Sequence, residues 1–146
     1  MTRAMLIGMI AAIVLPHVSD VGRQTAPAGA VFVAYYWRAK PGQLDAYTDY
    51  IKTVAVPIDE DARKAGVFEE VHTVTPAPGI VADWTHLRIF RLKEGLKDAA
   101  AAQTLSAGLD AATARIVPDE AQRKANTARA SGLRDFVRQE TWVELR

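Results

Sequence analysis

The chain has 146 residues, and its 18 lysine and arginine residues against 17 aspartate and glutamate residues give a formal net charge of +1. This length suits one domain with a real core, and a near-neutral chain without a basic run has no electrostatic reason to bind nucleic acid. Cysteine is absent, which excludes disulfides, thiol catalysis and thiolate metal sites.

The first thirty residues have the pattern of an export signal followed by a short linker. Arg3 gives a positive start, residues 4–15 are uncharged and apolar, and small-residue cleavage sites end at Ala28 and Ala30. We expect cleavage at one of these sites, a periplasmic or secreted location, and a folded domain over residues 31–146. The apolar run is shorter than the roughly 20 residues that span a membrane. A retained anchor and a misassigned start codon are the alternatives.

The next segment predicts a strand followed by a helix. Residues 31–38 are rich in aromatic and β-branched side chains and are closed by Pro41-Gly42, which is typical of a strand and its turn. From Gln43 the apolar residues recur at helical spacing. Pro57 interrupts that helix, and the acidic residues 59–61 behind it are interpreted as charge at a new helix N-terminus, not as a metal site.

A hairpin, more helix and a last strand complete the predicted elements. Residues 67–75 and 82–92 read as two strands joined by a proline- and glycine-rich turn. The alanine-rich residues 94–116 predict a helix, and Pro118 opens a second helical piece. The expected buried positions of the first of these helices are Leu96, Leu105, Leu109, Ala112 and Ile116. Residues 136–145 alternate again as a strand. Its expected polar side consists of Phe136, Arg138, Glu140 and Trp142. The order β-α-β-β-α-β is the split pattern of ferredoxin-like α+β folds.

One segment of the chain carries a family resemblance. The run Tyr35-Tyr-Trp-Arg-Ala-Lys-Pro-Gly-Gln43, leading into an amphipathic helix, a hairpin and a closing strand, resembles the dimeric α/β-barrel superfamily. That group includes antibiotic-biosynthesis monooxygenases, muconolactone isomerase-like, NIPSNAP-like and stress-responsive barrel proteins. The resemblance covers about residues 31–145. It implies a four-stranded antiparallel sheet with helices on one face only, whose other face is covered by a second subunit in a homodimer.

The hairpin suggests where a site would lie. Centred on Gly79, it would place Glu70 opposite Arg88 and His72 opposite His86. We expect this parity because the alternative one would set polar side chains opposite Leu87 and Ile89, which we assign to the helix-covered face. A shift by two residues would place Glu70 opposite His86 and leave the face unchanged.

The helix-free face would then combine titratable and aromatic groups. We expect His72 and His86 to serve as catalytic acid and base, and Arg88 to hold an anionic group. The tryptophans would sandwich an apolar or aromatic ligand. The substrate-binding candidates are Tyr36, Glu70, Trp84, Arg88, Arg138, Glu140 and Trp142.

Two functional hypotheses follow from this face. The first is an exported small-molecule-binding protein, or a cofactor-independent enzyme of isomerase, lyase or monooxygenase type. The second is a non-catalytic barrel in which the same residues only form the dimer interface, with Glu70–Arg88 and Arg138–Glu140 as ion pairs. We expect no metal and no cofactor. Haem is the alternative, because superfamily relatives include haem proteins. We expect no membrane span after cleavage.

Overall fold

The computed structural model describes residues 29–92 and 98–145, which form an α+β fold with one four-stranded antiparallel sheet. The expectations for residues 1–28, including the export signal, lie outside the described residues. In chain order the elements are β1 (Val31–Ala39), α1 (Leu44–Tyr50), a π-helical turn (Ile51–Ala55), α2 (Val56–Lys64), β2 (Glu70–Val74), β3 (His86–Leu92), α3 (Asp98–Ile116), α4 (Glu120–Leu133) and β4 (Arg134–Val143). The sheet order is β2-β3-β1-β4. The predicted α+β class and antiparallel sheet are confirmed, and the order is consistent with a ferredoxin-like fold.

The first helical segment continues through Pro57 instead of breaking. Proline cannot donate to the preceding turn and its ring crowds that turn's carbonyl. The chain widens into the π-helical turn just before Val56, and Pro57 occupies the first turn of α2, where its missing N–H is tolerated. Tyr47, Tyr50 and Ile51 form the buried stripe of this segment. Leu44, predicted to join it, is half exposed.

Helices α3 and α4 complete the layer that covers the sheet. The side chain of Asp119 caps α4 by accepting hydrogen bonds from the N–H groups of Ala121 and Gln122. Leu105 of α3 packs into a core with Phe68 and Phe90. Fully burying a side chain of this size stabilises the fold by about 1.5–3 kcal/mol. Of the other predicted core positions of α3, Ala112 is buried, Leu109 is half-buried and Ile116 is largely exposed, while Leu96 lies outside the described residues.

The helices lie on one face of the sheet in the part of the chain that the structure describes. Odd-numbered residues of β1, among them Val33 and Trp37, pack against the helices. A separate hydrophobic cluster contains no helical residue. It defines the opposite surface of the sheet, which we call the open face. Its members are Ala34, Tyr36, Trp84, Leu87, Ile89 and Val137. The β1–β4 register shifts between Tyr36 and Trp37, so Phe136 pairs with Trp37 on the helix side, not with the polar residues as expected.

The predicted hairpin register is wrong. His72 lies opposite Ile89 instead of His86, and Thr73 lies opposite Arg88. A shift by an odd number of residues exchanges the faces of one strand relative to the other. Leu87 and Ile89 therefore lie on the open face, whereas His86 and Arg88 turn towards the helices. The Pro78–Gly79 turn is present, with Gly79 at a φ of 84° and a hydrogen bond from the Ile80 N–H to the Ala77 carbonyl.

Within residues 29–92 and 98–145, no helix is both long enough and apolar enough to cross a membrane.

Candidate functional site

A cleft between the sheet and α3 is the candidate ligand-binding site. It has a volume of about 400 Å³, within the usual range of small-molecule sites. We call it the helix-side cleft, and it is lined by Tyr35, Trp37, Arg88, Phe90, Ser106, Leu109, Asp110 and Arg134. Aromatic walls, two guanidinium groups, two hydroxyl groups and one carboxylate therefore meet in one place.

Arg88 forms the buried wall of the cleft. It stands directly opposite Tyr35 on the neighbouring strand, and only 9% of the residue is exposed. One of its terminal nitrogens donates to the Asp59 carboxylate on α2. Its Nε is buried and has no hydrogen-bond partner among the described residues. Most buried polar groups have partners, so this orphan donor indicates a place for an acceptor.

Asp59 explains why an arginine can lie on the helix side of the sheet. The carboxylate is 5% exposed; burial raises its pKa above the ordinary value, and the positive charge of Arg88 opposes that rise. Removing either partner would leave a buried charge uncompensated, at a cost of about 3–5 kcal/mol. The acidic residues 59–61 are therefore not all helix-terminal charge, because Asp59 anchors the cleft arginine.

Arg134 and Trp37 form the other end of the cleft. The guanidinium carbon lies 3.6 Å from the centre of the Trp37 ring, and a terminal nitrogen donates to the Tyr47 hydroxyl at 2.7 Å. Both side chains also line a second hollow of about 420 Å³, which reaches Tyr50 and Phe136. Arginine stacked on indole is held flat by cation–π attraction. The N–H groups of Arg134 are therefore held in place between the helix-side cleft and the second cavity.

His86 is sealed into the core next to the cleft. Its Nε2 lies 3.0 Å from the Thr48 hydroxyl and its Nδ1 lies 3.0 Å from the Thr85 hydroxyl. Because Thr48 donates to the Leu44 carbonyl, it accepts from Nε2–H. The Thr85 hydroxyl lies closer to Nδ1, at 3.0 Å, than to the Trp37 carbonyl, at 3.4 Å, so it donates to Nδ1 and the ring is neutral. Burial first, and then the charge of Arg134, lower the pKa of His86. The predicted partnership with His72 is not formed, because the two histidines lie on opposite faces.

The open face carries seven of the nine predicted site residues, whose functional roles stay predictions. They are Tyr36, Glu70, His72, Trp84, Arg138, Glu140 and Trp142. At its centre the Tyr36 hydroxyl donates to Glu140 at 2.9 Å, and Arg138 Nε donates to the other carboxylate oxygen at 2.9 Å. These bonds, with that of Arg138 the stronger influence, lower the pKa of Glu140. The expected Arg138–Glu140 ion pair is present, whereas the expected Glu70–Arg88 pair is not.

Neither histidine fits the alternative of a haem ligand. Both ring nitrogens of His86 are occupied by threonine hydroxyls. Within the described residues of one chain, the side chain of His72 is 67% exposed beside Glu70, and no pocket of that chain encloses it as a haem site requires. Among residues 29–92 and 98–145, no three histidine, aspartate or glutamate side chains cluster closely enough to hold a metal ion.

The sequence prediction missed most of the helix-side cleft. Tyr35 and Trp37 belong to one of two acceptable core sets of β1, and nothing in the pattern assigns them to a ligand. Ser106 and Asp110 gave a faint signal, since they stand four residues apart beside the apolar stripe of α3. Arg134 and Asp59 gave none, because their partners are distant in the chain.

Comparisons with known proteins support the fold and leave the function open. The chain matches no family model and no curated protein. Among solved structures it is similar to the crystal structure of HapK from Hahella chejuensis, with a TM-score of 0.51 and 11% sequence identity. The alignment covers 79% of this chain and 92% of HapK. At this identity the similarity concerns the fold alone.

Proposed function

We propose that this protein binds a small, flat, largely apolar molecule in the helix-side cleft. The observation that carries the proposal is the guanidinium of Arg134, which lies over the Trp37 ring and donates to the neutral Tyr47 hydroxyl in the lining of a cleft of about 400 Å³. Trp37 and Phe90 supply aromatic walls to the same space. Apolar walls with a few placed polar groups are the usual composition of small-molecule sites.

We propose that the chain belongs to the dimeric α/β-barrel superfamily and forms a homodimer through the open face. The sheet order β2-β3-β1-β4 supports a ferredoxin-like arrangement. Half-exposed and exposed apolar side chains on the open face, among them Ile89 and Trp142, support the homodimer. Ligand and partner then occupy opposite faces, so the binding hypothesis no longer competes with the interface hypothesis.

If the protein is an enzyme, its proton transfers take place in the cleft without a cofactor. Burial raises the pKa of Tyr35, so its hydroxyl remains a proton donor at neutral pH. Asp110 lies exposed at the rim and offers a carboxylate as acceptor. His86, sealed between two threonines, acts on the site only by supporting β3 and α1. The non-catalytic alternative keeps the same cleft for binding alone.

We further propose export with cleavage after Ala28. Ala30 is 1% exposed, and its carbonyl accepts a hydrogen bond from the Glu144 N–H at 2.9 Å. Cleavage after Ala28 preserves this contact, whereas cleavage after Ala30 removes it. Mass spectrometry of the protein from its native cells should find a chain that begins at Gly29. A chain that begins at Val31, or an unprocessed one, would contradict this choice.

The binding proposal is tested by closing the cleft from its exposed side. Ser106 lines the cleft from the surface of α3, so the Ser106→Trp variant should fill the mouth without disturbing the core. Aromatic fragments would be screened by saturation-transfer NMR against wild type and this variant. We expect fragments that bind wild type and lose binding in Ser106→Trp.

The matched control is Gln103→Trp, which adds the same side chain at an exposed position of α3 outside the cleft lining. It should bind the same fragments as wild type. Fragments that bind all three proteins equally, or a screen without any binder, would contradict the proposal.

A further inference from the structure

Arg134 is a cleft cation without an acidic partner. Among the described residues no carboxylate oxygen lies within 4.0 Å of its guanidinium, although most other arginines near the sheet are paired. Within the described part of the chain, its side chain hydrogen-bonds only to the neutral Tyr47 hydroxyl. Its plane is fixed against Trp37. An oriented, uncompensated guanidinium is a preformed receptor for a carboxylate.

Arg88 adds a second unsatisfied donor to the same cleft. Asp59 neutralises its charge through a terminal nitrogen, yet the buried Nε–H keeps no acceptor. A buried donor without an acceptor loses its hydration and gains nothing in return. The nitrogen is not exposed at the cleft surface, so an oxygen atom brought by a ligand would satisfy it only after the Arg88 side chain turns.

The remaining walls limit what can carry that oxygen. Trp37, Phe90 and Leu109 leave a space suited to a ring system. Tyr35 lines the same space, and its hydroxyl remains a donor because burial raises its pKa. Asp110 is the one acidic group of the lining, and it lies at the exposed rim, where water screens its charge.

From these observations we infer that the ligand is an aromatic carboxylate, with its ring between Trp37 and Phe90 and its anionic oxygens on the cleft guanidinium groups. This inference rests on the proposed function and names its ligand class. The donors outnumber the acceptors in the buried part of the cleft, so a neutral aromatic molecule of the same shape is the weaker ligand.

Two probes of equal shape separate charge from shape. Dissociation constants of 2-naphthoate and 2-naphthamide would be measured by NMR titration of wild type. The carboxylate should bind at least about tenfold more tightly, as expected for charge-assisted hydrogen bonds in a partly desolvated site. In Arg134→Gln the preference should fall to within about threefold, because the uncompensated cation is gone. Arg134→Lys, which keeps the charge, should recover part of it.

The matched control is Lys124→Gln, which removes one positive charge from the exposed surface of α4 and should keep the full preference. Binding of 2-naphthamide reports whether the cleft of each variant is intact. Equal binding of both probes to wild type, or an equal loss of preference in Lys124→Gln, would overturn the carboxylate inference and leave cleft binding standing. If neither probe binds wild type at millimolar concentration, the proposed function fails with it.

Discussion

At the scale of single residues, the cleft depends on side chains that neutralise one another across the helix–sheet boundary. Arg88 can turn away from solvent because Asp59 on α2 receives it. His86 can do so because two threonine hydroxyls match the hydrogen-bonding pattern of a neutral imidazole. Asp59 lies 29 positions from Arg88, and Thr48 lies 38 positions from His86. A polar residue in a strand is therefore a poor guide to the exposed face.

Acid should destabilise the fold through His86. The pKa of His86 is lowered from 6.5 in the folded protein, so the unfolded chain binds the proton more readily. The contribution of His86 is fully present above pH 6.5 and is lost as the pH falls towards the lower folded value. Urea unfolding between pH about 8 and about 5 should show this loss.

His86→Gln supplies the reference for that experiment. Asp59 acts in the opposite direction, because burial raises its pKa, and the difference between wild type and His86→Gln cancels its contribution. The stability advantage of wild type over the variant should shrink on acidification. An advantage that stays constant across the range would show that His86 does not titrate as the structure requires.

At the scale of elements, a glycine lets α3 approach the connection between α2 and β2. A Cβ atom added to Gly108 would lie 2.2 Å from a methyl carbon of Val67, and valine has little rotational freedom with which to yield. Gly108→Ala should therefore destabilise the protein by about 1–3 kcal/mol, as overpacking does, although alanine is the better helix former. Thermal or urea unfolding measures the change.

Gly132 is the matched control in α4. A Cβ atom there meets nothing within 4 Å, so Gly132→Ala should leave stability unchanged or raise it by up to about 1 kcal/mol. Val67→Ala combined with Gly108→Ala should restore part of the loss. Stabilisation by Gly108→Ala alone would mean that α3 does not approach Val67 as described.

The order of the elements could be predicted from the sequence, whereas the hairpin register could not. Changes of hydrophobic period, Pro41-Gly42, Gly66 and the Pro78–Gly79 turn mark the strands and helices through local chemistry. The register depends on which face of the sheet the Arg88 side chain lies on. Asp59, 29 positions away, decides this through a contact that no local pattern contains. The cleft is assembled from β1, β3, α3 and β4, so it carries no motif.

At the scale of the whole molecule, the two faces of the sheet offer two different surfaces. The helix side holds the cleft, and the open face exposes apolar and ion-paired side chains. A second copy of the chain placed on the open face would leave the cleft accessible. Dimerisation and ligand binding should therefore respond to different substitutions.

Two positions of β4 separate these faces. Trp142 lies on the open face and is 40% exposed, whereas Phe136 lies on the helix side and is 54% exposed. Wild type should be a dimer by light scattering, Trp142→Glu should shift it to monomer because a charge enters the interface, and Phe136→Glu should remain a dimer. A monomeric wild type, or an equal effect of both variants, would contradict an interface on the open face.

The location of the bound ligand is tested most directly by fluorine NMR of protein labelled with 5-fluorotryptophan. The three tryptophans divide between the surfaces, with Trp37 in the cleft and Trp84 and Trp142 on the open face. Their resonances can be assigned with single Trp→Phe variants. Titration with 2-naphthoate should shift the Trp37 resonance saturably and leave the other two unmoved. Shifts confined to Trp84 or Trp142, or no shift at all, would contradict a ligand site in the helix-side cleft.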